Sequence, residues 1–128
     1  MNLITILFFM FVCHYIADYP LQGILAQMKQ KEWWTKQNNY NDLYKYDYII
    51  ALFIHSFMWS ALIMLPILIQ QNLYINFRFF ILLVVNTCFH AYVDNLKANL
   101  KIINLVEDQL IHFCQIMATL IIFYLEKI

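Results

Sequence analysis

The sequence predicts an all-α, polytopic membrane protein: a bundle of four transmembrane helices with a short interfacial segment between the first and the second. Three observations predict it. Of 128 residues, 63% are hydrophobic and 12% charged, whereas ordinary soluble domains carry about a quarter charged residues. The apolar residues gather in four stretches of roughly 20, the length that crosses ~30 Å of hydrocarbon. Four such helices leave almost nothing over except one polar segment, Gln27 to Asp47, and two tight connections.

The first stretch, about residues 3–25, starts close to Met1 with no basic leader region and no small-x-small cleavage site. It therefore reads as a retained span rather than a signal peptide. Pro20 frees the carbonyl of Ile16 and is expected to kink this helix beside Asp18. The stretch from Gln27 to Asp47 is polar, and residues 29–48 mix lysines with Trp33, Trp34, Tyr40, Tyr44, Tyr46 and Tyr48. Such residues sit at headgroup level, so the segment reads as an aromatic belt lying on the membrane surface, with a lid or lipid-recognition element as the alternative. The remaining spans are about 48–69, 77–97 and 103–125, joined by tight connections, with Pro66 expected to bend the second. One membrane domain, 1–128, results.

Orientation follows from the basic residues. Lys29, Lys31, Lys36, Lys45, Lys97 and Lys101 fall on the face of the first and third connections, and Arg78 and Lys127 on the other. Loops rich in lysine stay cytoplasmic, which predicts a multi-pass protein of the inner (plasma) membrane with both termini outside.

Composition also excludes functions. Eight basic against eight acidic residues give zero net charge, so no clustered basic surplus exists for nucleic acid. A single glycine excludes phosphate-cradling loops and the elbow of serine hydrolases, and Ser56 and Ser60 are the only serines. Cys13, Cys88 and Cys114 lie one or two residues from histidines, hence rotated off their face, and read as apolar filler without a disulfide framework.

The scarce polar residues inside the spans share a spacing. His14 precedes Asp18 by four, His90 precedes Asp94 by four, and Asp108 precedes His112 by four, while His55 stands alone in the second span. Positions i and i+4 share a helix face, so each pair aims an imidazole and a carboxylate at one point. Three such pairs would arise by chance at roughly the per-mille level. At 1.5 Å per residue all seven groups fall about 5 to 16 Å below the cytoplasmic surface. Four imidazoles and three carboxylates at one depth form the ligand set of a divalent transition metal, with Zn the first choice and Mn or Fe also suited. One ion would leave ligands over; two ions bridged by a carboxylate would use them all. The alternatives are hydrogen-bonded core histidines, self-neutralising His–Asp pairs or a proton relay.

Neighbouring residues extend the same faces. Gln22, Asn86, Lys97 and Gln115 stand three or four residues from a candidate ligand, where they could orient it. Lys97 and Lys101 could hold an anionic substrate, or could set topology and snorkel. Glu107 points about 100° away from Asp108 and reads as interfacial.

The runs HYIADYPLQ (His14 to Gln22), the isolated His55, HAYVDNLK (His90 to Lys97) and DQLIH (Asp108 to His112) resemble a family of small bacterial and phage membrane proteins known as domain of unknown function 3307. The resemblance runs from Leu3 to about Tyr124, with the four motifs in the family's order. It implies that His14, Asp18, Gln22, His55, His90, Asp94, Lys97, Asp108, Gln109 and His112 occupy motif positions. Tyr19 and Pro20 depart from the apolar pair usual there. A fainter similarity is to inner-membrane metal-dependent hydrolases.

The expectation is a membrane-embedded metal-dependent hydrolase acting from the cytoplasmic side on a lipid or an amphiphilic phosphoester. Its metal ligands would be His14, Asp18, His55, His90, Asp94, Asp108 and His112. Asp94 or Asp108 would bridge or act as general base, and Lys97 would bind an anionic group. A divalent-cation transporter is the chief rival, because HxxxD on two membrane helices also resembles the zinc site of cation diffusion facilitators. A structural protein stapled by its metal is the third. Membrane lipids are the expected partners; a homodimer fits the wide apolar exterior, although no glycine-type small-xxx-small face marks an interface.

Overall fold

The computed structural model describes residues 1–37 and 41–125; Tyr40 and Lys127, named above, lie outside the described residues. Every regular element among those residues is helical: α1 (Leu3–Asp18), α2 (Leu25–Met28), α3 (Lys31–Thr35), a 3-10 turn (Asp42–Tyr44), α4 (Asp47–Gln70), α5 (Phe77–Ala98) and α6 (Leu105–Leu125).

The expectation of four membrane-length helices is corrected to three. Helices α4, α5 and α6 are long and apolar enough to cross a membrane, whereas α1 has 16 residues and reaches only ~24 Å at 1.5 Å per residue. The first span ends at Asp18 instead of continuing to about residue 25. Pro20 has no N–H to give the Ile16 carbonyl, and the Leu21 N–H takes that acceptor instead at 3.0 Å, closing a wider turn that cannot propagate as α-helix. Gly23 then sits at φ +51°, a left-handed backbone that glycine adopts without steric cost. The result is the end of the helix rather than a kink within it. The other three spans fall within two residues of their expected limits, and α4 runs through Pro66.

Side-chain caps fix where the helices begin. Asn2 Oδ1 accepts from the Thr5 N–H at 2.8 Å to start α1, and Asn76 Oδ1 accepts from the Phe79 N–H at 2.8 Å to start α5. Asn104 accepts from the Val106 and Glu107 N–H groups, while Glu107 reaches back to the Asn104 N–H at 2.8 Å. That reciprocal pair is a capping box, so Glu107 has a definite structural task.

The four main helices alternate in direction around a ring. Helix α1 packs on α4 and α6, and α5 packs on α4 and α6. The amino group of Met1 bonds Gln70 Oε1 at 2.5 Å, joining the start of α1 to the end of α4. Arg78 donates to the Phe123 carbonyl, joining the start of α5 to the end of α6. At this end the core is apolar: Ile6, Met10, Ile63, Met64, Ile67, Ile116, Leu120 and Phe123 are buried. Outward-facing residues are apolar as well, among them Ile4, Phe8, Ile50, Phe53, Phe80, Val85, Ile121 and Ile122. The exterior is thus as apolar as the core, while the four histidines are buried inside the bundle.

The polar segment folds back over the opposite end. Asn99, just past α5, donates to the Lys29 carbonyl at 3.1 Å and accepts from the Lys31 N–H at 2.7 Å. Trp34 closes the segment on itself, donating from Nε1 to the Met28 carbonyl at 2.7 Å and stacking on Tyr44. Lys101, at φ +56°, pairs with Glu32. The Lys101 ammonium holds the Glu32 carboxyl below its ordinary range.

Candidate metal centre

The covered end of the bundle collects the C-terminal turns of α1 and α5 and the N-terminal turns of α4 and α6. The spacing of four delivers each pair inward, as the helical period requires. His14, His55, His90, Asp94, Asp108 and His112 are all buried, and Asp18 is nearly so, with 7% of its side chain exposed.

Two groups of donor atoms lie close enough to hold an ion: Asp18, His55 and His90, and His90, Asp94 and His112, with the ligand atoms of each group within 4.8 Å of one another. The Nε2 atoms of three histidines face two carboxylates. His55 Nε2 is 3.5 Å from Asp18 Oδ1 and 3.3 Å from Asp94 Oδ2. His90 Nε2 is 3.9 Å from Asp18 Oδ1 and 3.8 Å from Asp94 Oδ2. His112 Nε2 is 3.4 Å from Asp94 Oδ1. Asp94 thus turns one oxygen to His55 and His90 and the other to His112. His90 is shared by both groups, and its Nε2, which faces both carboxylates, can ligate only one ion at a time.

The donor set fits a cation on two further observations. Asp18 Oδ1 and His112 Nε2 are buried without a hydrogen-bond partner, a costly state for polar atoms that a ligated ion would relieve. The charges do not balance either. Asp18, Asp94 and Asp108 face two ammonium groups, those of Lys29 and Lys97, which leaves one negative charge when the histidines are neutral. Imidazole and carboxylate donors suit Zn, Mn or Fe.

Two of the seven sequence-derived ligands fall outside both groups. His14 has both ring nitrogens engaged, Nδ1 accepting from Trp59 Nε1 at 2.8 Å and Nε2 lying 3.0 Å from Gln109 Oε1. Asp108 pairs with Lys97 and approaches His112 Nε2 at 3.3 Å through its other oxygen. These two surround the donors rather than joining them, and their bonds orient neighbours of the kind that tune a metal site.

The amides take up positions that the helix pattern alone does not give. Because α1 stops at Asp18, the following turn swings Gln22 to 3.2 Å from His55 Nε2. Gln109 donates to Asp18 Oδ2 at 3.3 Å and to Asp108 Oδ2 at 3.1 Å. Asn86 and Gln115 are not at the centre; they bond each other and Thr119 one layer deeper between α5 and α6.

Two site residues escape the sequence reading. Lys29, grouped there with the surface lysines, is 5% exposed, and its Nζ lies 2.5 Å from Asp94 Oδ2. Nothing periodic in the polar segment marks it. Trp59 stacks on the His90 ring at 4.0 Å between centroids and bonds His14. A signal for it existed, since it follows His55 by four and shares its face.

Above the donors lies a polar cavity of about 440 Å³, whose wall includes Asp18, Gln22, Lys29, Lys97, Lys101 and Gln109. Lys29 and Lys97 extend from this wall to Asp94 and Asp108. On the opposite side, Trp59, Met10, Ile63 and Ile116 close the core below the rings.

Compared with protein-family models, with curated proteins and with solved structures, the chain matches none, so its own residues carry the functional argument.

Proposed function

We propose that this chain is a membrane-embedded, metal-dependent hydrolase that acts on a lipid or phosphoester substrate reaching it from the cytoplasmic side. The carrying observation is the juxtaposition of buried His/Asp donors with a lysine-walled polar cavity. His55, His90, His112, Asp18 and Asp94 would hold one or two divalent ions, Zn being favoured, with Asp94 as the carboxylate presenting an oxygen to each donor group. A divalent ion in such a place acts as a Lewis acid and lowers the pKa of bound water.

The chain's own residues supply the rest. Hydrolysis joins a water oxygen to phosphorus or to an acyl carbon and breaks the bond to the departing alkoxy oxygen. The water proton needs an acceptor and the alkoxide a donor. Asp108 Oδ1 is buried without a hydrogen-bond partner, which suits it to receive that proton. Lys97 Nζ, bonded to the other Asp108 oxygen and lining the cavity, is placed to hold an anionic oxygen and to return a proton to the departing one. Below the cluster the core is closed by large apolar side chains, which favours chemistry at the cavity over passage of an ion across the bundle. The motif resemblance to domain of unknown function 3307 is part of this proposal, as is the N-out, C-out orientation in the inner membrane, which requires α1, short as it is, to cross beside α4, α5 and α6 as a fourth span.

The test is direct. Purified protein should retain a transition metal by elemental analysis and should release phosphate or fatty acid from lipids or nucleotides. Asp94→Ala and His112→Ala should abolish both metal retention and hydrolysis with helicity intact. A folded protein free of transition metal overturns the proposal, and metal flux into liposomes without hydrolysis selects the transporter.

A further inference from the structure

The polar cavity does not end at its lysines. It shares Tyr19, Leu105 and Gln109 with a second recess of about 320 Å³. This recess runs between α1 and α6, lined otherwise by the apolar or aromatic Tyr15, Val106, Leu110 and Phe113. Val106 is 67% exposed and Leu110 56% exposed, so the recess opens sideways on the apolar outer face of the bundle. It spans the first turns of α6, within ~12 Å of its start along the axis. An anion-receiving chamber thus continues into an apolar groove at the same end of the helices.

We propose that this pair of recesses is a lateral binding site for an anionic phospholipid with a small phosphate headgroup, the phosphate seated in the lysine-walled cavity and the proximal acyl carbons lying in the groove between α1 and α6. The inference rests on the metal-centre reading for its charge balance. With the donors empty, Lys29, Lys97 and Lys101 are each matched to a carboxylate, Asp94, Asp108 and Glu32. A divalent cation taking Asp94 and Asp18 adds two positive charges to a cluster that carries one negative. The cavity then attracts a phosphate, and lysines offer it donors as compact point charges. Phosphate recognition alone would serve a soluble anion equally. The groove decides for a lipid, because an apolar channel that starts at the anion chamber and faces hydrocarbon has no use for a ligand without a chain.

Lys101 is the discriminating lysine, since it lines the cavity without bonding any candidate ligand. Lys101→Asn removes its charge and keeps a residue tolerant of the left-handed backbone. Val106→Trp narrows the groove at an exposed position where folding is not at stake.

The experiment uses full-length, metal-loaded protein in phosphatidylcholine nanodiscs doped with a phosphatidic acid that carries a diazirine near the acyl carbonyl. Cross-links should map to Tyr15, Val106 or Phe113 and be competed by unlabelled phosphatidic acid but not by diacylglycerol or inorganic phosphate. Lys101→Asn should lower the yield about fivefold, the effect of one exposed charge contact of ~1 kcal/mol. Val106→Trp should remove the groove cross-links. Cross-links spread evenly over the apolar exterior, equal competition by diacylglycerol, or indifference to both variants overturns the site. Inorganic phosphate competing as well as the lipid overturns the lipid assignment in favour of a soluble anion. Metal content measured on the same samples separates the two levels: metal-loaded protein without phosphatidic acid preference sinks this inference alone, whereas protein that holds no metal sinks the metal centre with it.

Discussion

Asp94 and Lys29 form a buried ion pair whose acid belongs to a candidate donor group, so a two-residue cycle can separate structural from metal-binding roles. Asp94 Oδ2 is 2.5 Å from Lys29 Nζ, and the two side chains are 2% and 6% exposed. Asp94→Asn keeps the shape and strands a buried ammonium, which typically costs about 3–5 kcal/mol. Lys29→Met removes the ammonium while preserving an apolar stem; the carboxylate it leaves still faces His55 and His112 at 3.3 and 3.4 Å, so its cost should be smaller. In the double variant neither charge is stranded. Its destabilisation should fall short of the summed single values by about 2 kcal/mol, within the range measured for contacting residues. The assay is reversible unfolding in mixed micelles with metal chelated, so that ligand linkage does not add to the result. Metal affinity of the same four proteins should behave differently, because Asp94→Asn removes a donor that Lys29→Met cannot restore. Additive stabilities within ~0.5 kcal/mol would show that the two groups do not interact and would refute the burial of Lys29 at the site.

Trp59→Phe keeps the ring over His90 but deletes the Nε1–H that His14 Nδ1 accepts. It should cost about 1–3 kcal/mol in unfolding, the price of a buried unsatisfied acceptor, with metal stoichiometry unchanged. Loss of the metal instead would place His14 among the ligands. Pro20→Ala restores an N–H for the Ile16 carbonyl and should let α1 extend past Asp18, carrying Gln22 away from His55; a cysteine pair engineered at the two positions should then cross-link less well, and unchanged cross-linking would refute the role of Pro20 as terminator. Glu32 titrates below its ordinary range because of Lys101, so its contribution is full above the ordinary carboxylate value and disappears as pH falls through the lowered one. In Lys101→Asn, the NMR titration midpoint of Glu32 should rise towards the ordinary value, and a midpoint that stays put would show another cause.

What could be read from the sequence is what repeats with the helical period. His14 with Asp18, His90 with Asp94 and Asp108 with His112 meet because a spacing of four is a local property, indifferent to how helices are later arranged. Helix direction then put all of them at one end, and the limits of α4, α5 and α6 followed from apolar length alone. The rest depends on the path of non-periodic chain. Pro20 announced a disturbance, but whether a freed carbonyl leads to a kink or an end is decided by what accepts it, here the Leu21 N–H. Lys29 reads as a topology lysine in any one-dimensional count. Only the Asn99 clasp on its backbone brings it under the segment and into the carboxylates.

That misplacement alters the electrostatic logic of the site. With all lysines on the surface, the seven buried groups would carry three uncompensated negative charges, too costly to bury unless protonated or matched by a cation. With Lys29 and Lys97 drawn in, the deficit falls to one. Asp94 and Asp108 are thus held by tethered cations without any ion. Under the proposed metal binding, Lys29 would compete with the ion for Asp94, and its ammonium, once released, would already lie in the wall of the cavity. Binding of a cation and of an anion would then be coupled through that one side chain. The same lysine that neutralises Asp94 without an ion would, in the filled site, form part of the positive surface offered to the proposed anionic substrate.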